Sequence, residues 1–147
     1  MKRLSKLKNL NRYLKTFAIP EHPDIRPIRI VDQGDATSRL SKASGDQVLI
    51  ALPECNQSGS TDQWREQISF AFFIIARVNN QMRNPEVEDE SYSRLLDIAD
   101  ILLERLCDDM EDRPCGFLGG LELSDINIIP EYSIFGGWSG YSIEIVF

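Results

Sequence analysis

The sequence predicts an α+β fold: a mainly antiparallel sheet of four to five strands packed against one long helix, with an additional N-terminal amphipathic helix. Three observations predict it. Gln67 to Val78 is apolar on both parities, with Ile68, Phe70, Phe72, Ile74, Ala76 and Val78 on one and Ala71, Phe73 and Ile75 on the other. That is a strand covered on both faces, by helices or by another protein. Downstream, Leu95, Leu96, Ala99, Leu102, Leu103, Leu106 and Met110 recur at the 3.6-residue period of a helix. The last residues then return to alternation, with Tyr141, Ile143, Ile145 and Phe147 on one face and Ser142, Glu144 and Val146 on the other.

Each element follows in order. Residues 1–17 place Leu4, Leu7, Leu10, Leu14 and Phe17 on one helical stripe, with the basic residues mostly outside it. This helix stops before Pro20, because the residue preceding a proline is pushed out of the α region. Pro20, Pro23 and Pro27 punctuate a connection, and Ile28 to Val31 is a short strand placed at an edge by Pro27. Asp32 to Asp46 reads as a polar loop, Gln47 to Leu52 as a strand, and Glu54 to Asp62 as a polar turn region. After the two-faced strand and a turn over Asn79 to Asn84, acidic residues Glu86, Glu88, Asp89 and Glu90 suit a helix N-terminus. That helix spans about residues 87–111 and ends before Pro114. A glycine-punctuated stretch leads to a strand over Ile126 to Phe135 with a proline interruption, and the terminal strand is tied into the sheet.

With 147 residues, of which 42% are hydrophobic, the chain suffices for one core and is short for two, so residues 1–147 form a single domain. It is too apolar for wholesale disorder, and its three cysteines are too few for a disulfide scaffold. The longest apolar run, Ala71 to Ala76, is far short of a membrane span, so no membrane partner is expected. No continuous apolar core of a secretory signal is present in the first residues.

Charge is distributed unevenly. Lys2, Arg3, Lys6, Lys8, Arg12 and Lys15 fall in the first 16 residues with no acid among them, which leaves 10 bases against 23 acids in the remainder. An acidic body repels phosphate backbones, so no specific nucleic acid is expected as a partner. The basic segment suits docking on its own acidic body or on a sister subunit.

No constellation of catalytic or ligating residues stands out. His22, the one histidine, sits between prolines, and Cys55, Cys107 and Cys115 lack the close spacing of a zinc site. Cys107 and Cys115 are spaced to allow a bridge across a helix end, while burial of Cys107 beside Leu103 and Leu106 explains it equally well. Gly116 to Gly120 lacks the lysine and hydroxyl of a phosphate loop. The expectation is a protein that is not an enzyme and carries no cofactor and no metal. The candidate site residues are instead interface residues: Leu4, Leu7, Leu10 and Leu14 on the first stripe, Phe73 and Ile75 on the two-faced strand, and Phe135 and Trp138 around Gly136-Gly137. For Trp138 two roles stand open, packing on the core edge beside a glycine bulge or anchoring a partner.

The segments DQVLIALPE, QISFAFFIIARV and NIIPEYSIFGGWSGYSIEIVF, taken in this order of elements, resemble the tail-terminator and minor-tail or head-tail neck proteins of tailed phages. The resemblance covers most of the chain in layout and rests on no ligand motif. It implies a structural protein of a phage or prophage tail, a homo-oligomer in the form of a hexameric ring that caps or joins the tail tube, with other tail or neck proteins as partners. It places the Asp32–Asp46 and Glu54–Asp62 segments at or near ring contacts, and the protein in the cytoplasm before assembly and in the virion afterwards. The 17-residue basic start departs from that pattern. The alternatives are an intracellular binding or regulatory module and, third, a small hydrolase.

Overall fold

The strand with two apolar faces lies inside the sheet, where both faces can be covered. In the computed structural model, which describes residues 2–60, 63, 65–77, 84–112 and 122–147, the elements are α1 (Lys2–Lys15), β1 (Ile28–Ile30), α2 (Gln33–Leu40), β2 (Gln47–Ala51), β3 (Glu54–Ser58), β4 (Arg65–Arg77), α3 (Pro85–Asp112), β5 (Asp125–Ile134) and β6 (Trp138–Val146). The strand order is β1-β2-β4-β6-β5, with β3 also paired to β4. Every pair is antiparallel except β1 with β2. The class is the expected α+β, with six strands among the described residues instead of four or five. Val78, most of the Asn79–Asn84 turn, Gly116 to Gly120 and Cys115 lie outside the described residues.

Two segments differ from expectation. Glu54–Asp62 is not all turn, because Glu54–Ser58 pairs with Arg65–Ser69. Val48 faces Ile74 and Ile50 faces Phe72, then Cys55 faces Ile68, so β2 and β3 run along the same side of β4 as one strand broken at Leu52-Pro53. Pro53 has no N–H for the ladder, and the register slips there. Asp32–Asp46 is not all loop either. The Asp32 carboxylate accepts the Asp35 N–H at 2.8 Å and caps α2. Ala36 and Leu40, four residues apart, then bury one face of the two-turn helix.

One face of the sheet packs on α1 and α3. Val48, Ile50, Ile68, Phe70, Phe72, Ile74, Ile143 and Ile145 meet Leu10, Tyr13, Leu14 and Phe17 from α1 and its tail, and Leu95, Ile98, Ala99, Leu102 and Leu106 from α3. Phe17 touches Phe72 with ring centroids 5.4 Å apart, and Tyr13 donates to Asp109 near the end of α3 at 2.7 Å. Arg29 of β1 donates to Asn11 and fastens α1 from the other side. The basic helix thus docks on its own chain. α3 starts at Asn84, whose side chain accepts the Glu86 N–H at 3.0 Å, with Pro85 as the first helical residue. Arg94 grips Asp46 through two bonds of 2.8 Å, so α3 also holds the turn that opens β2.

The opposite face carries a second, smaller cluster: Ile30, Leu49, Ile75, Phe135 and Trp138 under Ala36 and Leu40 of α2. Arg77 joins these parts, donating to the Leu40 carbonyl at 3.3 Å while its guanidinium lies 5.2 Å from the Trp138 ring centroid. The β5–β6 turn that delivers Trp138 is bulged between Glu131 and Ile134. Ser133 and Phe135 hold φ near +50° there, and the Ser139 hydroxyl accepts the Ser133 N–H at 2.8 Å.

Two substitutions test this packing. Leu14→Ala, in a helix that sequence alone left free to dock elsewhere, is expected to cost about 2–5 kcal/mol in urea unfolding, as deletion of a core side chain does. Gly140 opposes Ile75, and an added Cβ there would lie 2.0 Å from the Ile74 carbonyl oxygen. Gly140→Ala is expected to lower stability by about 3 kcal/mol, read from the same unfolding curve.

Candidate functional site

Coverage of the two faces is unequal, and lengths explain why. α3 has 28 residues and is about 42 Å long, whereas α2 has eight and reaches only about 12 Å. β4 has 13 residues and extends about 43 Å. α2 therefore covers the Ile75–Trp138 end of its face and leaves the rest open. The open part forms two adjoining hollows of about 360 and 390 Å³ that share Val31, Ala51, Phe73 and Glu131.

Register determines what lines them. Ala71 and Phe73 supply the floor from β4, flanked by Ser142 and Glu144 of β6, with Ile129 and Glu131 of β5 beyond. On the other side stand Ala51, Leu52 and Glu54, with Val31 at the rim. Val31 is 70% exposed and Ile129 45% exposed, so apolar surface is open to solvent here. The polar atoms are carboxylates and hydroxyls. Ser142 donates to Glu131 at 2.9 Å and Ser69 to Glu54 at 3.4 Å. Tyr92 of α3 donates to the Glu131 main-chain carbonyl at 2.9 Å and fixes that residue from the far side of the sheet. Its partial burial raises the phenol above its ordinary range. Among the described residues, no basic side chain lines either hollow.

Ser142 and Ser69 each donate to a carboxylate, which fixes the direction of their hydroxyls. His22 lies in the turn after α1, where its N–H bonds the Ile19 carbonyl, remote in sequence from both serines. Cys55 donates to Glu66 at 3.3 Å on the helical face of the sheet, and Cys107 is half-buried on α3. Its pairing with Cys115 lies outside the described residues. No group of three or more His, Cys, Asp or Glu among the described residues is placed to hold a metal ion. No helix among them is long and apolar enough to cross a membrane.

The interface residues read from sequence fall in three places. Leu10 and Leu14 are in the main core, and Leu7 is half-buried beside Lys8, Asn11, Leu52 and Pro53; the side chain of Leu4 is outside the described residues. Ile75, Phe135 and Trp138 are brought together, but under α2 of the same chain, with Trp138 only 1% exposed. These five buried side chains make intramolecular contacts, because each apolar stripe found a partner within the fold. Among the described ones, Phe73 alone reaches the open floor, edge-on to Phe135 at 5.1 Å. The residues that sequence reading did not single out are Glu54, Ala71, Ile129, Glu131, Ser142 and Glu144. The signal was present for two of them, since Ser142 and Glu144 alternate with the core residues Ile143 and Ile145.

The rim next to α2 depends on Asp35, whose carboxylate accepts the Val31 N–H at 3.0 Å and Arg39 Nε at 2.9 Å. These bonds, the one to Val31 first, hold its pKa below the ordinary carboxylate range. A carboxyl whose folded pKa is depressed adds stability above its unfolded pKa, and that stability is lost as pH falls toward the folded value. The expected result is that Asp35→Asn destabilises the protein at pH 7, and that the difference from wild type shrinks toward pH 3 in paired urea titrations.

No protein-family model matches this chain, and no curated protein matches it with significance.

Proposed function

We propose that the protein is a structural assembly subunit of the kind that forms rings at phage or prophage tails, capping or joining the tail tube. One observation carries this reading: a sheet closed by two helices on one face and left half open, apolar and acidic on the other. A cleft for a small molecule would be narrow and lined by convergent polar groups. This face instead leaves Val31 and Ile129 open to solvent, and its carboxylates are spread over β3, β5 and β6 around an apolar floor, as at a macromolecular contact. The likeness in layout to tail-terminator and neck proteins supports the same reading, since such subunits act through shape and contact without a cofactor.

Absolute mass in solution, measured by light scattering across a wide concentration range, tests it. The reading expects a mass at or climbing toward a closed multiple of 16.8 kDa, six being the number that the resemblance implies. Ile129→Lys changes a half-exposed residue and is expected to alter protomer stability by no more than about 0.5 kcal/mol. It should weaken association by about tenfold or more if a second copy covers this face. A monomer at every concentration would instead favour a binding module that docks a different partner.

A further inference from the structure

Resting on that assembly reading, we infer that the open acidic face of one protomer receives the basic outer face of α1 from the next. Charge complementarity identifies the occupant. On α1, Lys8, Arg12 and Lys15 are exposed and recur at spacings of four and three, so they form a single outward stripe about 10 Å long. On the open face, Glu54 opposes Ser69 on one side of β4 and Glu144 opposes Ala71 on the other. Two strands and two residues apart, these carboxylates are roughly 12 Å from each other. The two spacings match within the reach of a lysine or arginine side chain, whose methylene stem can lie along Ala71 and Ile129 while its charge meets a carboxylate.

Topology determines what such a contact builds. α1 packs on the Val48, Phe72 and Ile74 face of the sheet, and the acidic hollows open on the Ala71 and Phe73 face. Donor and acceptor surfaces therefore lie on opposite sides of one protomer. The contact is heterologous, head to tail, and it propagates into a closed ring or a filament instead of closing as a two-fold dimer. It also reconciles association with a formal charge of −7, which would otherwise drive copies apart.

Reciprocal charge reversal tests this. One variant carries Glu54→Lys with Glu144→Lys, and the other carries Lys8→Glu with Arg12→Glu; all four side chains are exposed, and melting curves confirm that each variant folds. Each variant alone is expected to associate on the order of a hundredfold more weakly than wild type, because like charges then face each other. An equimolar mixture restores the wild-type mass, as does a chain carrying all four changes. Wild-type mass should also fall as salt rises from about 0.05 to 0.5 M, since exposed charge pairs are screened. An oligomer whose mass ignores both the reversals and salt overturns this docking and leaves the assembly reading intact. Variants that stay monomeric when mixed and when combined also overturn it. A wild-type protein that is monomeric at every concentration overturns both.

Discussion

From Ile68 to Ile75, β4 offers apolar side chains to both sides of the sheet, and neither side can be left wholly to water. Phe72 and Ile74 on one side and Ile75 on the other are fully buried. Meeting that demand on the first side takes two helices, and the need explains why a strongly basic helix is held at Leu10, Tyr13 and Leu14 against an otherwise acidic chain. On the second side the chain provides α2 and the hairpin that carries Trp138. Because these cover only one end, the same strand that organises the core also creates the open surface at Ala71 and Phe73.

The hairpin shows how closely local geometry serves that arrangement. Phe135 and Ser133 adopt left-handed backbone conformations, which residues other than glycine seldom do. The bulge they form turns Phe135 onto Phe73 and brings Trp138 beneath Arg77, so the strain is offset by a closed end of the second core. Gly136 and Gly137 complete the turn with positive φ at no such cost.

Much of this was legible in the sequence. β4, α3 and β6 carry long hydrophobic patterns of period 2 or 3.6, and α1 shows a five-residue apolar stripe; all four are present. Pro27 marked β1 as an edge, which it is. α2 and β3 were not legible, for opposite reasons. α2 has only Ala36 and Leu40 to bury among glycine, serine and threonine, so its helical signal was the Asp32 cap and little else. β3 is an outer strand with Cys55 as its one inward apolar residue, and a polar strand at an edge looks like a turn. The open face was invisible for a related reason: Glu54, Glu131 and Glu144 reach one face only through the register of β3 and β6 on β4 and of β5 on β6. Sequence could show that Trp138 and Ile75 needed cover, but not that α2 would supply it.

The two charge layouts give the account its functional direction. A basic stripe lies outside one layer of the molecule and an acidic, partly apolar hollow outside the other, an arrangement suited to stacking copies in one sense. The central claim, that a second copy covers the open face, is tested most directly by following the reactivity of a thiol placed on its floor. Ala71→Cys is labelled with a maleimide, and the modified peptides are weighed so that Cys55 and Cys107 serve as internal references. Over roughly a hundredfold rise in concentration, the account predicts that labelling at position 71 slows about tenfold while the reference thiols keep their rates. An unchanged rate at position 71 under conditions where the protein is oligomeric would contradict it.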